Sequence, residues 1–315
     1  MRLSFQIRRV PVWVWRLLMA HLASGERRRF NQEPIDDVHS ILDIDYSGDA
    51  ARQHRLDVIA PREHPGPLPV YVYFHGGGWT SGDKSAVTKY CAIQASGGAV
   101  VVNANYRMAT RFHMRHMLED AASVLCWVES EIAGFGGDPD RVVVGGDSAG
   151  GQIAALIAAA QLSPELVAHY GLGTSFGRRL VGVVQHCSAV DFSVMLERGF
   201  ILSRSFVRML LPPRDRYLVL TKAARYLSPI EWVSPGFPPV FVTTSEQDPF
   251  YGANLNFIRR LRSLAVPVDV LTYDKSSRNT RHTWQQDYHF PESQEVYRRL
   301  ATFVSRVAPS PRPVR

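Results

Sequence analysis

A serine among glycines is the residue of this sequence whose setting most suggests chemistry. Ser148 lies in the pentapeptide GDSAG, residues 146–150, which fits the pattern G-x-S-x-G. Three valines before it predict a short buried strand, and the run from Gln152 to Ala160 is rich in helix-forming residues. Small residues let the backbone turn sharply between strand and helix. We therefore expect Ser148 to be either a nucleophile held outward at that turn or a plain cap of the helix.

A serine hydroxyl is a poor nucleophile until a neighbouring base takes its proton. His282 follows a predicted strand that ends at Tyr273, and Asp248 follows one that ends at Thr244. Ligand and catalytic sites of parallel sheets lie at the carboxyl ends of the strands, so we expect both side chains to meet Ser148. This chain order of nucleophile, acid and base is the order of α/β-hydrolases. Alternative acids are Glu246 and Asp274, and alternative bases are His289 and His186, although His186 falls inside a predicted strand and favours a core position.

Three consecutive glycines, Gly76 to Gly78, follow another predicted strand in the segment YFHGGGWTSGDK. Backbone N–H groups can approach a substrate closely where no side chain obstructs them. Each N–H donor to an oxyanion can contribute about 3 kcal/mol to the stability of a transition state. A phosphate-binding loop is the alternative, but Lys84 does not stand at the spacing that G-x-x-x-x-G-K-[ST] requires. The sequence therefore favours oxyanion donors.

Strands and helices alternate between these motifs, with no internal repeat. The clearest helical periodicities lie in 118–132 and 296–307. Such alternation predicts an α/β fold with a mostly parallel eight-stranded sheet flanked by helices. Strands are predicted for Val38–Tyr46 and His54–Ala60 and for runs that end at Phe74, Tyr106, Val144, Val190, Thr244 and Tyr273.

Composition excludes some classes of function. The chain of 315 residues carries a formal charge of +7, but seven arginines and a single glutamate lie within its first thirty residues. The remainder is almost neutral and has no basic stripe with interleaved aromatic residues, so we expect no nucleic-acid partner. The cysteines Cys91, Cys126 and Cys187 are widely spaced in apolar surroundings, which favours reduced thiols and a cytoplasmic location.

Three parts of the chain are expected around the core. Residues 1–37 form a basic amphipathic segment that we expect to pack on the domain, join a cap or lie on a membrane surface as a peripheral contact. Its apolar run 11–23 is too short to cross a bilayer, and His21 weakens the case for a cleaved signal peptide. Residues 38–307 form one catalytic domain. Residues 308–315 are proline-rich and predict a disordered tail.

A long connection, 191–235, is predicted to insert a small helical cap over the site. It supplies far more apolar surface than a loop needs. We expect part of this surface to line a substrate pocket together with Trp79. The apolar residues are Phe192, Met195, Leu196, Phe200, Ile201, Leu202, Phe206 and Met209.

Two histidines three residues apart, His113 and His116, have spacing that could hold a metal ion. We interpret them as solvated loop histidines and predict no metal site.

The motifs together resemble the hormone-sensitive-lipase-like carboxylesterases of the α/β-hydrolase superfamily. The resemblance rests on HGGGW at 75–79, NYR at 105–107, LED at 118–120 and GGDPDRVVVGGDSAGG at 136–151, and it runs from Ile41 to Val307. It implies the α/β-hydrolase fold and a catalytic triad of Ser148, Asp248 and His282. It also implies an oxyanion hole made by the N–H groups of Gly77, Gly78 and Ala149, with His75 bracing the loop. The sequence departs from the family at MATRFHMRH, 108–116, where relatives often carry a leucine-alanine-proline-glutamate turn.

These features predict a serine carboxylesterase that hydrolyses short-to-medium acyl esters through an acyl-enzyme intermediate. The expected partner is a small-molecule ester, and no cofactor is expected. An amide or formamide hydrolase on the same triad is one alternative. A catalytically silent binding protein with the hydrolase fold is another, disfavoured because the nucleophile and the base are both present.

Overall fold

The structure is a computed structural model, which describes residues 12–14, 17–18, 25, 29–64, 66–173, 176–197 and 204–309. Within these residues eight strands form one sheet in the order β1-β2-β4-β3-β5-β6-β7-β8. The strands are β1 Val38–Asp45, β2 Arg55–Pro61, β3 Leu68–Phe74, β4 Val100–Ala104, β5 Gly137–Asp147, β6 Gly182–His186, β7 Val240–Ser245 and β8 Val268–Tyr273.

The sheet is parallel from β4 to β8, and β2 pairs antiparallel with both β1 and β4. Strand β5 lies between β3 and β6, with its valines Val142–Val144 buried. Strands covered on both faces are expected to be apolar throughout, which explains this valine run. The predicted α/β fold with a mostly parallel eight-stranded sheet is confirmed.

Helices cover both faces of the sheet and enclose two apolar clusters. One cluster lies under α2, α3 and α7, and the other lies under α1 and α8. Helix α3 is buried along its whole length, which suits its alanine-rich sequence. The described α-helices are α1 Thr88–Ser96, α2 Met114–Glu131, α3 Ser148–Ala160, α4 Pro164–Tyr170, α5 Arg204–Leu210, α6 Leu220–Ala224, α7 Tyr251–Ser263 and α8 Pro291–Val307.

Two strands end two or more residues earlier than the sequence predicts. The run expected to end at Val190 stops at His186, because Cys187 adopts a left-handed conformation with φ of 49°. The run expected to end at Tyr106 stops at Ala104. Both endings lie at the carboxyl edge of the sheet, where the chain turns toward the site.

The segment 191–235 connects β6 to β7. Its described part contains α5, α6 and short 3₁₀ helices, while 198–203, with Phe200, Ile201 and Leu202, lies outside the described residues. Phe192, Met195 and Phe206 are buried in the larger apolar cluster. That this segment acts as a cap over the site stays a prediction.

Most of the predicted N-terminal segment 1–37, and the tail from residue 310 on, lie outside the described residues. Of the helices that the structure describes, none alone has the length and apolar composition to cross a bilayer. Only α3 and α4 taken together meet both requirements, across a bend of 119°.

Candidate active site

Ser148 stands at the turn between β5 and α3, as its glycine-rich setting predicts. Its φ is 51°, a left-handed conformation that costs a non-glycine residue about 1–3 kcal/mol. A side chain on Gly150 would overlap the carbonyl oxygen of Phe74, so glycine allows α3 to lie close against β3. The strained turn places the Ser148 hydroxyl at the carboxyl edge of the sheet.

The structure brings Ser148, His282 and Asp248 together. Nε2 of His282 lies 3.0 Å from Oγ of Ser148, and Nδ1 of His282 lies 2.9 Å from Oδ1 of Asp248. A neutral imidazole that donates Nδ1–H to the carboxylate has its Nε2 lone pair turned toward the hydroxyl. This geometry lets His282 accept the proton of Ser148.

Asp248 is fixed by the backbone and by its own strand. The N–H of Phe250 donates to Oδ1 over 3.0 Å, and the hydroxyl of Thr244 donates to Oδ2 over 3.3 Å. The carboxylate is fully buried, whereas the side chain of His282 is 33% exposed. A fixed acid behind a partly exposed base is the arrangement that proton transfer to a bound substrate needs.

The alternative acids and the alternative base His289 have partners elsewhere. Glu246 accepts the N–H of Lys275, and Asp274 accepts hydrogen bonds within its own exposed loop. His289 pairs with Asp287 over 2.9 Å. The structure does not bring these three candidates to Ser148.

The remaining candidate base, His186, is a buried member of a polar network under the site. Its Nε2 lies 2.8 Å from the hydroxyl of Tyr90, and its Nδ1 lies 2.7 Å from that of Thr243. Burial lowers the pKa of His186 to about 3, so the ring is neutral. Gln285 donates to the Thr243 hydroxyl over 2.7 Å and stands three residues after His282. The network therefore ties the loop of His282 to the sheet.

Cys187, Asp248 and His282 bring one possible ligand atom each to within 4.8 Å of one another. Burial raises the pKa of the Cys187 thiol well above its usual value. A metal ion binds the thiolate, and this environment opposes its formation. We therefore interpret these three residues as the hydrogen-bonded pair of Asp248 and His282 with a buried thiol beside it, and not as a metal site.

His113 and His116, interpreted from sequence as loop residues, instead belong to the start of α2. His113 is the residue before the first turn, and its N–H lies 3.4 Å from Nδ1 of His116. The first N–H groups of a helix have no partner within the helix, and two side chains three residues apart can satisfy them. The two histidines therefore belong to the start of a helix and not to a loop.

The predicted oxyanion donors come from the loop after β3 and from the first turn of α3. Gly77 and Gly78 have φ of 121° and 59°, and a side chain on Gly77 would overlap the carbonyl oxygen of Ser81. Ala149 follows Ser148 in the first helical turn, whose N–H groups have no partner within the helix. Since β3 and β5 are neighbours in the sheet, the loop and the helix terminus meet beside Ser148.

His75 braces this loop, as the family resemblance implies. Its buried ring stacks on Tyr106, and its Nδ1–H donates to the carbonyl of Gly76 over 2.7 Å. The hydroxyl of Tyr106 donates to the carbonyl of His75 over 2.8 Å. None of the described hydrogen bonds joins His75 to Ser148, so His75 is not placed to act as its base.

Asp147 is a site residue that sequence reasoning missed. Its Oδ1 accepts the N–H of Gly76 over 2.9 Å and the hydroxyl of Tyr73 over 2.6 Å. Burial raises the pKa of this carboxyl. One side chain therefore joins the glycine loop to the turn that carries Ser148. No local sequence pattern indicates this pairing, because Gly76 and Asp147 are 71 residues apart.

Trp79 does not stand at an open pocket wall. Its side chain is 1% exposed, its indole N–H donates to Oε1 of Gln152 over 2.6 Å, and its ring packs on Phe192. The amide of Gln152 in turn donates to the carbonyl of Leu227 over 2.5 Å. These contacts pack the glycine loop, α3 and the 191–235 segment against one another, and a substrate contact of Trp79 stays a prediction.

Known proteins share both the sequence pattern and the fold. A family model described as alpha/beta hydrolase fold matches residues 71–280. Carboxylesterase NlhH of Mycobacterium tuberculosis is 32% identical over 211 residues, which make up 64% of this chain and 63% of that protein. The match therefore spans less than two thirds of this curated relative.

Solved structures match over nearly the whole chain. Esterase B from Lactobacillus rhamnosis gives a TM-score of 0.84 at 23% identity, over 94% of this chain and 95% of that one, which shows the fold. An esterase from Pyrobaculum calidifontis gives a TM-score of 0.70 at 25% identity, over 97% and 96%. With a family model matching well over half of its length, the chain belongs to the hormone-sensitive-lipase-like carboxylesterase family of the α/β-hydrolase superfamily.

Proposed function

We propose that this protein is a serine carboxylesterase that hydrolyses short-to-medium acyl esters. The observation that carries the proposal is the chain of contacts from Ser148 Oγ to His282 Nε2, at 3.0 Å, and from His282 Nδ1 to Asp248, at 2.9 Å. The relatives at 25% identity or more support the ester as substrate, since they are named as esterases.

The first half of the reaction forms an acyl-enzyme. Oγ of Ser148 attacks the ester carbonyl carbon while its proton passes to Nε2 of His282. Asp248 stays ionised and stabilises the resulting imidazolium through Nδ1–H. The imidazolium then gives its proton to the alcohol oxygen, and the bond between carbonyl carbon and alcohol breaks.

The second half repeats this chemistry with water. His282 takes a proton from a water molecule, whose oxygen attacks the acyl carbon. The proton then returns to Oγ of Ser148 as the carboxylic acid leaves. In both halves the N–H groups of Gly77, Gly78 and Ala149 donate to the negative oxygen, and each can supply about 3 kcal/mol of transition-state stabilisation.

A fluorophosphonate probe tests the nucleophile. We expect the probe mass on a single peptide, at Ser148, and neither labelling nor turnover of a p-nitrophenyl ester in Ser148→Ala. Ser305→Ala, on the exposed face of α8, is the matched control and should behave like the wild type. Absence of labelling in the wild type would favour a silent binding protein, and full activity of Ser148→Ala would overturn the proposal.

The base is tested by a pair of histidine variants. His282→Ala should lower the rate of acylation by about four orders of magnitude, because the hydroxyl loses its proton acceptor. His289→Ala should leave it unchanged. In the wild type kcat/KM should fall as the pH is lowered into the acidic range, where a histidine base becomes protonated. A flat pH profile would contradict a histidine base.

The leaving group is tested by p-nitrophenyl butyrate against the matching p-nitroanilide. We expect efficient turnover of the ester alone. Comparable kcat/KM on the anilide would instead make the protein an amide hydrolase on the same triad.

A further inference from the structure

Three consecutive apolar side chains project from the segment between β6 and β7. Tyr217, Leu218 and Val219 are 94%, 47% and 64% exposed, and they join a 3₁₀ helix, Pro213–Asp215, to α6. Single exposed apolar residues are ordinary on protein surfaces, but a contiguous apolar group marks a site of contact. We call residues 213–222 the cap tip.

The apolar group is surrounded by positive charge. Residues 204–222 contain five arginine or lysine residues, all exposed, and a single acidic residue. That acid, Asp215, is buried, with Oδ2 3.0 Å from Nε2 of His169 and Oδ1 3.8 Å from Nε of Arg214, so it offsets only part of the positive charge. The exposed cations are Arg204, Arg208, Arg214, Arg216 and Lys222.

A neighbouring cavity of about 610 Å³ is bordered by Arg214 of the cap tip, while Arg107 and Arg115 on its wall are paired with Glu119. Burial and the nearby positive groups His116, Arg216 and Arg115 lower the pKa of His113 on this wall to about 4. Glu119 is the one acidic group on this wall. The charged and titratable lining residues are Arg107, His113, Arg115, His116, Glu119 and Arg214.

The combination of exposed apolar side chains and positive charge favours one kind of binding partner for the cap tip over another. A second copy of the chain would bring five cations against five, so like charges would oppose docking of two cap tips. An anionic bilayer offers phosphates to the arginines and an apolar interior to the side chains between them. Tyrosine, the most exposed of the three, is also a residue that favours the membrane–water boundary.

We propose that the cap tip docks on an anionic lipid bilayer. Tyr217, Leu218 and Val219 enter the head-group region, and Arg214 and Arg216 bind lipid phosphates. Docking at this point holds the protein by the segment that connects β6 to β7. The proposal does not rest on catalysis and is separate from the membrane contact expected for residues 1–37.

Flotation of the full chain with vesicles tests the proposal. We expect binding to phosphatidylcholine vesicles that contain about 30 mol % phosphatidylserine, at least tenfold weaker binding to phosphatidylcholine alone, and release by about 0.5 M salt. Equal binding to both vesicles would overturn an electrostatic docking surface. Ser148→Ala should float like the wild type, so that loss of docking and loss of catalysis are distinguishable.

Matched substitutions locate the contact. The double variant L218D/V219D should bind the anionic vesicles at least tenfold more weakly than I41D/L42D, which changes two exposed apolar residues of β1 in the same way. The milder L218S/V219S, with circular dichroism and thermal midpoint as folding checks, should show the same direction of change. R214E/R216E should also reduce binding tenfold or more. If instead W13D/L17D removes binding while all cap-tip variants bind like the wild type, the contact belongs to the N-terminal segment and the proposal is wrong.

Discussion

His186 is a titratable side chain sealed beneath the candidate site. In the fold its pKa is lowered to about 3 by burial, whereas a histidine in the unfolded chain titrates near about 6.5. Between these two values the unfolded chain binds a proton that the folded chain does not. Acid therefore favours unfolding through this residue, and its contribution to stability is complete only above about pH 6.5.

We predict that His186→Gln reduces the acid sensitivity of the fold. The wild type should lose up to about 1.4 kcal/mol of unfolding free energy per pH unit below about 6.5 from this group, and the variant should lose correspondingly less. Denaturant titrations at about pH 7 and pH 5 measure the two slopes. His289→Gln, at a partly exposed histidine, is the control. Equal slopes in the wild type and His186→Gln would contradict this role.

Some residues of the candidate site can be predicted from the sequence, and others cannot. The juxtaposition of Ser148, Asp248 and His282 could be predicted because each follows a recognisable strand, and the carboxyl ends of parallel strands meet at one edge of the sheet. Asp147 and Gln285 could not, because their partners Gly76 and Thr243 lie 71 and 42 residues away and no local pattern encodes such pairs. The sequence likewise does not reveal Gln152 as the partner of Trp79.

At the scale of elements, Gln152 links three parts of the site. From α3 it accepts the indole N–H of Trp79 in the glycine loop and donates to the carbonyl of Leu227 in the 191–235 segment. All three groups are in or near the core, where an unsatisfied polar atom is costly.

We predict that Gln152→Leu lowers the unfolding free energy by about 2–4 kcal/mol, since it leaves the Trp79 N–H and the Leu227 carbonyl without a partner. It should also lower kcat, because the loop of Gly77 and Gly78 loses an anchor. Gln161→Leu, at the end of the same helix, removes hydrogen bonds away from the site and should lower stability alone. Unchanged kcat in Gln152→Leu would show that the loop keeps its position without this link.

The segment 191–235 should also set the preferred substrate length. Among the apolar residues that the structure describes in this segment, Phe192, Met195 and Phe206 are committed to the core, and Leu196 and Met209, both half-buried, are candidates to limit an acyl chain. Each acyl methylene adds at most about 0.8 kcal/mol of binding until it meets such a wall.

We predict that kcat/KM rises along a p-nitrophenyl ester series to an acyl chain of about four to eight carbons and then falls. Leu196→Ala and Met209→Ala should move the maximum to longer chains, with Leu255→Ala, half-buried on α7, as the control. A wild-type maximum at about sixteen carbons would contradict a short pocket.

At the scale of the whole molecule, periodicity predicted the number and type of strands but not their order in the sheet. Alternating apolar runs specify which residues are buried and extended, whereas the placement of β4 between β2 and β3 follows from crossover connections that no local pattern contains. The early end of β6 could not be predicted either, because no sequence pattern indicates that Cys187 adopts a left-handed backbone conformation.

The sheet order also separates the three proposed catalytic residues. Ser148 follows the interior strand β5, whereas Asp248 follows β7 and His282 follows β8, the last strand of the sheet. Strand β8 pairs with β7 alone, and most of its residues are only partly buried. Regions with few buried contacts open at a lower free energy than the whole fold.

We predict that mild heating inactivates the protein before it unfolds. Esterase activity should fall at temperatures where the far-ultraviolet circular dichroism is unchanged, and amide hydrogen exchange should be faster in β8 than in β5. A disulfide between β8 and β7, or a larger apolar side chain packed between them, should raise the temperature of inactivation and leave the temperature of unfolding unchanged. Coincident loss of activity and secondary structure would contradict this order of events.

This prediction separates the working lifetime of the protein from its thermodynamic stability. The first would depend on how often β8 opens and displaces His282, and the second on the core that holds Ser148 in place. Selection for longer activity at high temperature would therefore act on the last third of the sequence and leave the valine-rich centre unchanged.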